Sequence, residues 1–104
     1  MSVLFKELLS EGIEQCVYDS SNILGSEYNE IKNELKIIFS NGTEYLYEEI
    51  PPTLYVWFRE DESQGKFFNR EIKKGTYTFK KIGVSNIERL NEIKNNVLKE
   101  KIQQ

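Results

Sequence analysis

The sequence predicts an α+β domain, a small antiparallel β-sheet of three to four strands packed with short helices and flanked by a helix at each end. Three observations carry this. The first is the run LKIIFSNGTEYLY over 35–47. Leu35, Ile37 and Phe39 alternate with Lys36 and Ser40, and Thr43, Tyr45 and Tyr47 alternate with Glu44 and Glu48, the period of a strand with one buried face. Asn41-Gly42 between them suits a type I′ turn, whose two central residues both need positive φ. The second is Pro51-Pro52 ahead of an apolar run, which opens a short helix over 52–60. The third is Ser85-Asn86-Ile87-Glu88, a capping box that opens a terminal helix over 85–102.

From the start of the chain, Phe5, Leu8 and Leu9 fall on one face of a helix over 1–14, with Gly12 ending it. Such a helix either covers a sheet face or makes a dimer contact. Cys16–Tyr18 is short and apolar, Asp19–Asn22 is turn chemistry, and Ile23–Tyr28 reads as a strand weakened by Gly25. In the 52–60 helix, Leu54, Val56, Trp57 and Phe58 are apolar nearly all round, which predicts deep burial, Trp57 included; Tyr55, Val56 and Trp57 also suit a strand. Ser63-Gln64-Gly65 breaks the chain before a second short helix, from about Gly65 to Lys73. Gly75 ends that helix, and Thr76–Phe79 is the last strand. In the terminal helix, Ile87, Leu90, Ile93, Val97 and Leu98 form one stripe, which packs on the body or on a second copy. The whole, 1–104, reads as one domain.

Composition removes several chemistries. There is no histidine and a single cysteine, Cys16, so Ser-His-Asp and Cys-His catalysis and a conventional zinc site are out of reach. A lone cysteine is more often a small core residue than a nucleophile. No apolar run approaches the roughly 20 residues of a membrane span, and the start of the chain lacks the pattern of a secretory leader; we expect a cytoplasmic protein. The net charge of −3 hides an asymmetry. Residues 1–62 hold four basic and thirteen acidic side chains, whereas 63–81 hold six basic (Lys66, Arg70, Lys73, Lys74, Lys80, Lys81) and one acidic, Glu71. Proteins that lie along a duplex are basic overall, because phosphate neutralisation supplies most of their affinity. A small basic island in an acidic body favours a compact anion over a long polyanion.

The order of residues is also familiar. Ser20-Ser21-Asn22-Ile23, then Tyr28, then Leu35-x-Ile37-x-Phe39-x-x-Gly42-x-x-Tyr45-x-Tyr47, resembles the KTSC domain, taken as a module of the type found at the C-terminus of some lysyl-tRNA synthetases. Ile50-Pro51, Tyr55, Phe58 and Ser63-x-Gly65-x-Phe67-Phe68-Asn69-x-x-Ile72 continue the pattern, so the resemblance covers 20–77. Where the family tends to place a small residue ahead of Ser-x-Gly, this chain has Asp61 and Glu62, a more acidic approach. The resemblance implies a small α+β module found alone in bacterial and phage proteins, with RNA binding as its suggested role.

The sharpest candidate site is Ser63, Gly65 and Lys66 at a predicted helix start, followed by Asn69, Arg70 and Lys73. A helix start presents free N–H groups to phosphate, and the cations add charge-assisted contacts. The plainer alternative is an N-capped, solvated helix face. Tyr45 and Tyr47 project from one strand face, as core or as a stacking wall for a base. The carboxylate pairs Glu48-Glu49 and Glu60-Asp61-Glu62 are sequence neighbours, a poor arrangement for acid–base work across a pocket. We therefore expect no enzyme and no cofactor or metal. The expectation is a binding module for a small phosphate-bearing ligand, a nucleotide or cyclic nucleotide signal, acting as a homo-oligomer through its terminal helices. A phage-type protein that sequesters an immune signalling nucleotide, against host defence, would work this way. The alternatives are an RNA-binding accessory module and a protein-interaction or oligomerisation module.

Overall fold

The computed structural model describes residues 3–84 and 86–102. Its frame is an antiparallel sheet of six strands in chain order: β1 (Val3–Ser10), β2 (Ile13–Tyr18), β3 (Ile23–Asn29), β4 (Glu34–Phe39), β5 (Thr43–Tyr47) and β6 (Phe79–Val84). Between β5 and β6 the chain leaves the sheet for α1 (Pro52–Glu60) and α2 (Gln64–Phe67), which widens into a π-helical segment, Phe68–Lys73. After β6 comes α3 (Glu88–Ile102). The α+β class stands, with more strands than the alternation in the sequence suggested. Among the described residues no helix is long and apolar enough to cross a membrane.

The extra strands come from the start of the chain. Of the residues expected as the helix 1–14, the described ones, from Val3 on, form β1 and the start of β2, joined by a turn in which Gly12 has φ +81°. A Cβ on Gly12 would also lie 2.9 Å from the Ile31 side chain. The stripe that suggested a helix is not buried: Leu8 is 74% exposed and Leu9 is exposed as well, while Phe5 packs toward α3. Irregularities in the β1–β2 register, between Val3 and Phe5 and between Leu8 and Ser10, break the alternation that would have marked a strand.

The central hairpin forms as expected, with Ile37 opposite Tyr45 and Leu35 opposite Tyr47. Its turn is of another type. Only Gly42 takes positive φ (+92°), its N–H bonds to the Phe39 carbonyl at 2.8 Å, and the Asn41 side chain accepts from Thr43 N–H at 2.9 Å. This is a three-residue loop closed by a left-handed glycine rather than a type I′ turn.

Two cores sandwich the sheet. On one face Tyr18, Ile23, Tyr28, Leu35, Ile37 and Tyr47 pack beneath α1, α2 and the π-helical segment. On the other, Val17, Leu24 and Ile38 meet Leu90 of α3, with Phe5, Ile87 and Ile93 around them. The stripe of α3 is thus taken up by its own sheet. Arg89 adds hydrogen bonds to Gln15 (2.9 Å) and Glu7, and Lys94 donates to the Ser20 carbonyl at 3.1 Å. Ser85 of the expected capping box lies outside the described residues; Asn86 Oδ1 accepts from Glu88 N–H at 3.0 Å.

Three helix and strand expectations change. α1 buries only Leu54, Tyr55 and Phe58. Trp57, expected in the core, is 64% exposed, because one side of α1 rests on the sheet and no described residue covers the other. The final strand is 79–84, not 76–79, since its register is set by β5: Tyr47 faces Phe79 and Thr43 faces Val84. The helix expected over 65–73 is one α-helical turn followed by π geometry. There, two consecutive phenylalanines serve different neighbours. Phe67 packs on Phe58 at 6.1 Å between ring centroids, while Phe68 packs on Phe39 and Tyr47 at 5.6 and 5.5 Å.

Candidate ligand-binding cleft

The meander and the π-helical segment enclose a cleft of about 860 Å³. Its floor follows from strand alternation. Leu35, Ile37 and Phe39 share a face with Tyr45 and Tyr47, and β6 continues that face with Phe79 opposite Tyr47 and Lys81 opposite Tyr45. Five rings line the cleft: Phe39, Tyr45, Tyr47, Phe68 and Phe79. They meet edge to face, Phe39 to Tyr45 at 5.8 Å and Tyr45 to Phe79 at 6.1 Å, except Tyr47 and Phe79, which stack at 5.3 Å. Tyr47 is nearly buried and burial pushes its phenol up, so it remains a neutral donor. Phe79 is 56% exposed and presents a free ring edge to anything entering.

The rim is polar and carries no carboxylate. The β2–β3 loop contributes Ser21 and Asn22, the hairpin loop contributes Ser40 and Asn41, and the π-helical segment contributes Asn69 and Lys73. Lys73 is exposed on the helical wall, and Lys81, exposed too, lies opposite Tyr45 on β6, next to the cleft lining rather than in it. Such a cleft can hold a flat ring against aromatic faces and edges, pair its heteroatoms with amides, and meet an attached anion with lysine.

Of the eight residues singled out from the sequence, Tyr45, Tyr47, Gly65, Asn69 and Lys73 line this cleft. Ser63, Lys66 and Arg70 do not. The Ser63 hydroxyl caps α2 by accepting from Lys66 N–H at 3.3 Å, and the Lys66 side chain is exposed away from the cleft lining. Arg70 turns to the other side, donating to Glu71 at 3.1 Å and lying 5.5 Å above the Phe67 ring. α2 is a single turn, so its start offers little of the partial charge that the phosphate reading required. Sequence reading missed Phe79, which needs the β5–β6 register, and Asn22 and Asn41, which two turns bring together.

A second polar cluster ties β2 to α1. Glu14 Oε1 accepts from Tyr55 OH and, at 2.9 Å, from Arg59 Nη1; the Cys16 thiol lies 3.5 Å from Tyr55 OH. Burial alone would raise the Glu14 pKa, but hydrogen bonds from Tyr55 and Arg59 and the Arg59 charge hold it below the ordinary value. Burial pushes the Cys16 thiol up, and that effect prevails. The thiol is fully buried and stays protonated, the state of a packing residue rather than a nucleophile. Among the described residues no group of three or more His, Cys, Asp or Glu side chains is placed to hold a metal.

The model of the KTSC domain matches residues 19–79. The chain belongs to the KTSC domain family. The crystal structure of a KTSC domain protein from Yersinia pestis is 30% identical, with a TM-score of 0.62 over 68% of this chain and 99% of that one. No curated protein matches the chain. The association with lysyl-tRNA synthetase is not upheld: the family model and this crystal structure carry the KTSC description alone. The residues that line the cleft, from Ser21 to Phe79, lie within the KTSC match, whereas Lys81, the β1 strand and α3 lie beyond it.

Proposed function

We propose that this KTSC domain is a non-enzymatic binding module for a small ligand that joins an aromatic base to phosphate, a nucleotide or cyclic nucleotide signal. The observation that carries the reading is the cleft itself, five rings under a rim of amides, hydroxyls and lysine with no carboxylate to repel an anion. The base stacks among Tyr45, Tyr47 and Phe79, and the phosphate meets Lys73 and Lys81. This moves the phosphate from the start of α2 to Lys73 on the helical wall and Lys81 on the neighbouring strand. The cleft lining has no histidine, thiol or carboxylate for proton transfer or attack, so binding without turnover fits it, as in a protein that sequesters its ligand.

RNA binding is the second reading, favoured by the ring-bearing sheet face, since single strands stack successive bases on such rings. The net charge of −3 weighs against it. Calorimetric titration with mononucleotides, cyclic dinucleotides and short single-stranded RNAs separates the two. The expected result is saturable binding of a mononucleotide or cyclic dinucleotide with a shallow salt dependence. Binding of RNA alone, lost steeply as salt rises, would replace the small-ligand reading with the second.

A further inference from the structure

On the far side of the same helical segment lies a second depression, of about 450 Å³, between α1 and the π-helical segment. Its apolar walls are Trp57 and Phe67, and its remaining lining is Glu60, Asp61 and Glu71. A largely exposed tryptophan is an expensive feature to leave in water, and this one supports no core. The depression also shows what it accepts. The Arg70 guanidinium, from its edge, lies above the Phe67 ring at 5.5 Å, pairs with Glu71 at 3.1 Å and approaches Asp61 at 3.8 Å. Glu60 uses one oxygen on Arg59 at 3.1 Å, while its Oε2 is buried and receives no hydrogen bond from a described residue.

We propose that the Trp57 depression is a docking surface for a partner protein that presents arginine or lysine beside apolar side chains on one short segment. Three carboxylates stand against two resident guanidiniums, Arg59 and the exposed Arg70. The acidic excess beside the open Trp57 ring complements a cation on an apolar stem, through charge and through the ring face. A separate partner is favoured over a second copy. The cations of this chain cluster over 66–81, and seating them in another copy's depression would join unlike surfaces head to tail, a contact that propagates into rings or filaments.

Trp57 is the sole tryptophan, so its emission reports on this surface. The probe is a short blocked peptide alternating arginine with leucine, beside the same peptide with uncharged citrulline for arginine. The expected result is a saturable emission change with the arginine peptide, about tenfold weaker in the double variant Asp61→Asn, Glu71→Gln and unchanged in Lys81→Ala. Glu71→Gln alone, at an exposed position, gives a partial loss in a fully folded chain, with melting temperature as the check. Absence of a saturable change, an equal response to the citrulline peptide, or a response that the carboxylate variants leave intact overturns the proposal. A dimer in light scattering that Trp57→Ala converts to monomer also overturns it, by making a second copy the occupant.

Discussion

The two depressions on either side of residues 64–73 are built from the same material and differ in what surrounds it. Phe67 and Phe68 are neighbours in sequence, yet Phe68 belongs to the cleft and Phe67 to the Trp57 surface. Over the sheet, five rings sit under amides, hydroxyls and lysine; over α1, two rings sit among three carboxylates. Aromatic rings alone therefore do not name a ligand. The rim chooses, an anion on one side and a cation on the other. Support differs as well. The cleft floor is sheet and core, so its rings are held by packing, whereas Trp57 projects from the outer face of one helix.

That difference in support predicts the largest contrast. Phe68→Ala removes a ring packed on Phe39 and Tyr47 and should destabilise the fold by about 3–5 kcal/mol. Trp57→Ala should stay within about 0.5 kcal/mol, as for a surface substitution. Urea denaturation of both variants checks this, and comparable losses would make Trp57 a structural residue.

The carboxylates supply the next contrast. Glu14 is held by Tyr55 and Arg59 with a lowered pKa, so its stabilising contribution is full above the unfolded-state value, near 4.5. That contribution is lost as pH falls through the lower folded value. Glu14→Gln should cost about 1–3 kcal/mol at pH 7 and flatten the acid limb of the stability curve below that pH. Glu71→Gln, at an exposed position on the Trp57 surface, should leave stability at pH 7 within about 0.5 kcal/mol. Thermal melts across pH 3–7 compare them, and parallel limbs for wild type and Glu14→Gln would remove Glu14 from the account.

The lysines test the cleft without touching the fold. Lys73→Ala and Lys81→Ala should each weaken a bound mononucleotide or cyclic dinucleotide by about tenfold, the loss of one charge-assisted contact. Both should leave the melting temperature and the response of Trp57 to the arginine peptide alone. Calorimetry and emission, run on the same variants, read the two sites separately.

How much of this was legible in the sequence depended on where periodicity was clean. The 35–47 hairpin, the 52–60 helix and the terminal helix each carry an unbroken pattern, and each is present. The first strands were hidden, because register irregularities and the exposed Leu8 and Leu9 imitate helical spacing. Trp57 was misplaced because an apolar run shows which residues are hydrophobic but not which side of a helix has a neighbour. The cleft was half legible. Tyr45, Tyr47, Asn69 and Lys73 stand in recognisable patterns, but Phe79 joins them only through the pairing of β6 with β5 across an intervening helical excursion.

Arg70 brings the two regions into one measurement. From sequence it belonged with Lys66 and Lys73 as a phosphate ligand, whereas in the fold it lies over Phe67 between Asp61 and Glu71. It is more than half exposed, and exposed pairs of this kind contribute about 0–1 kcal/mol, so Arg70→Ala should barely move the melting temperature. Its effects on binding should diverge. Removing the resident guanidinium vacates the Phe67 face and frees two carboxylates, so the arginine peptide should change Trp57 emission at lower concentration than in the wild type. Nucleotide affinity in the cleft should stay the same. A loss of nucleotide binding instead would return Arg70 to the phosphate and make the two depressions one site, with residues 64–73 as its hinge rather than its partition.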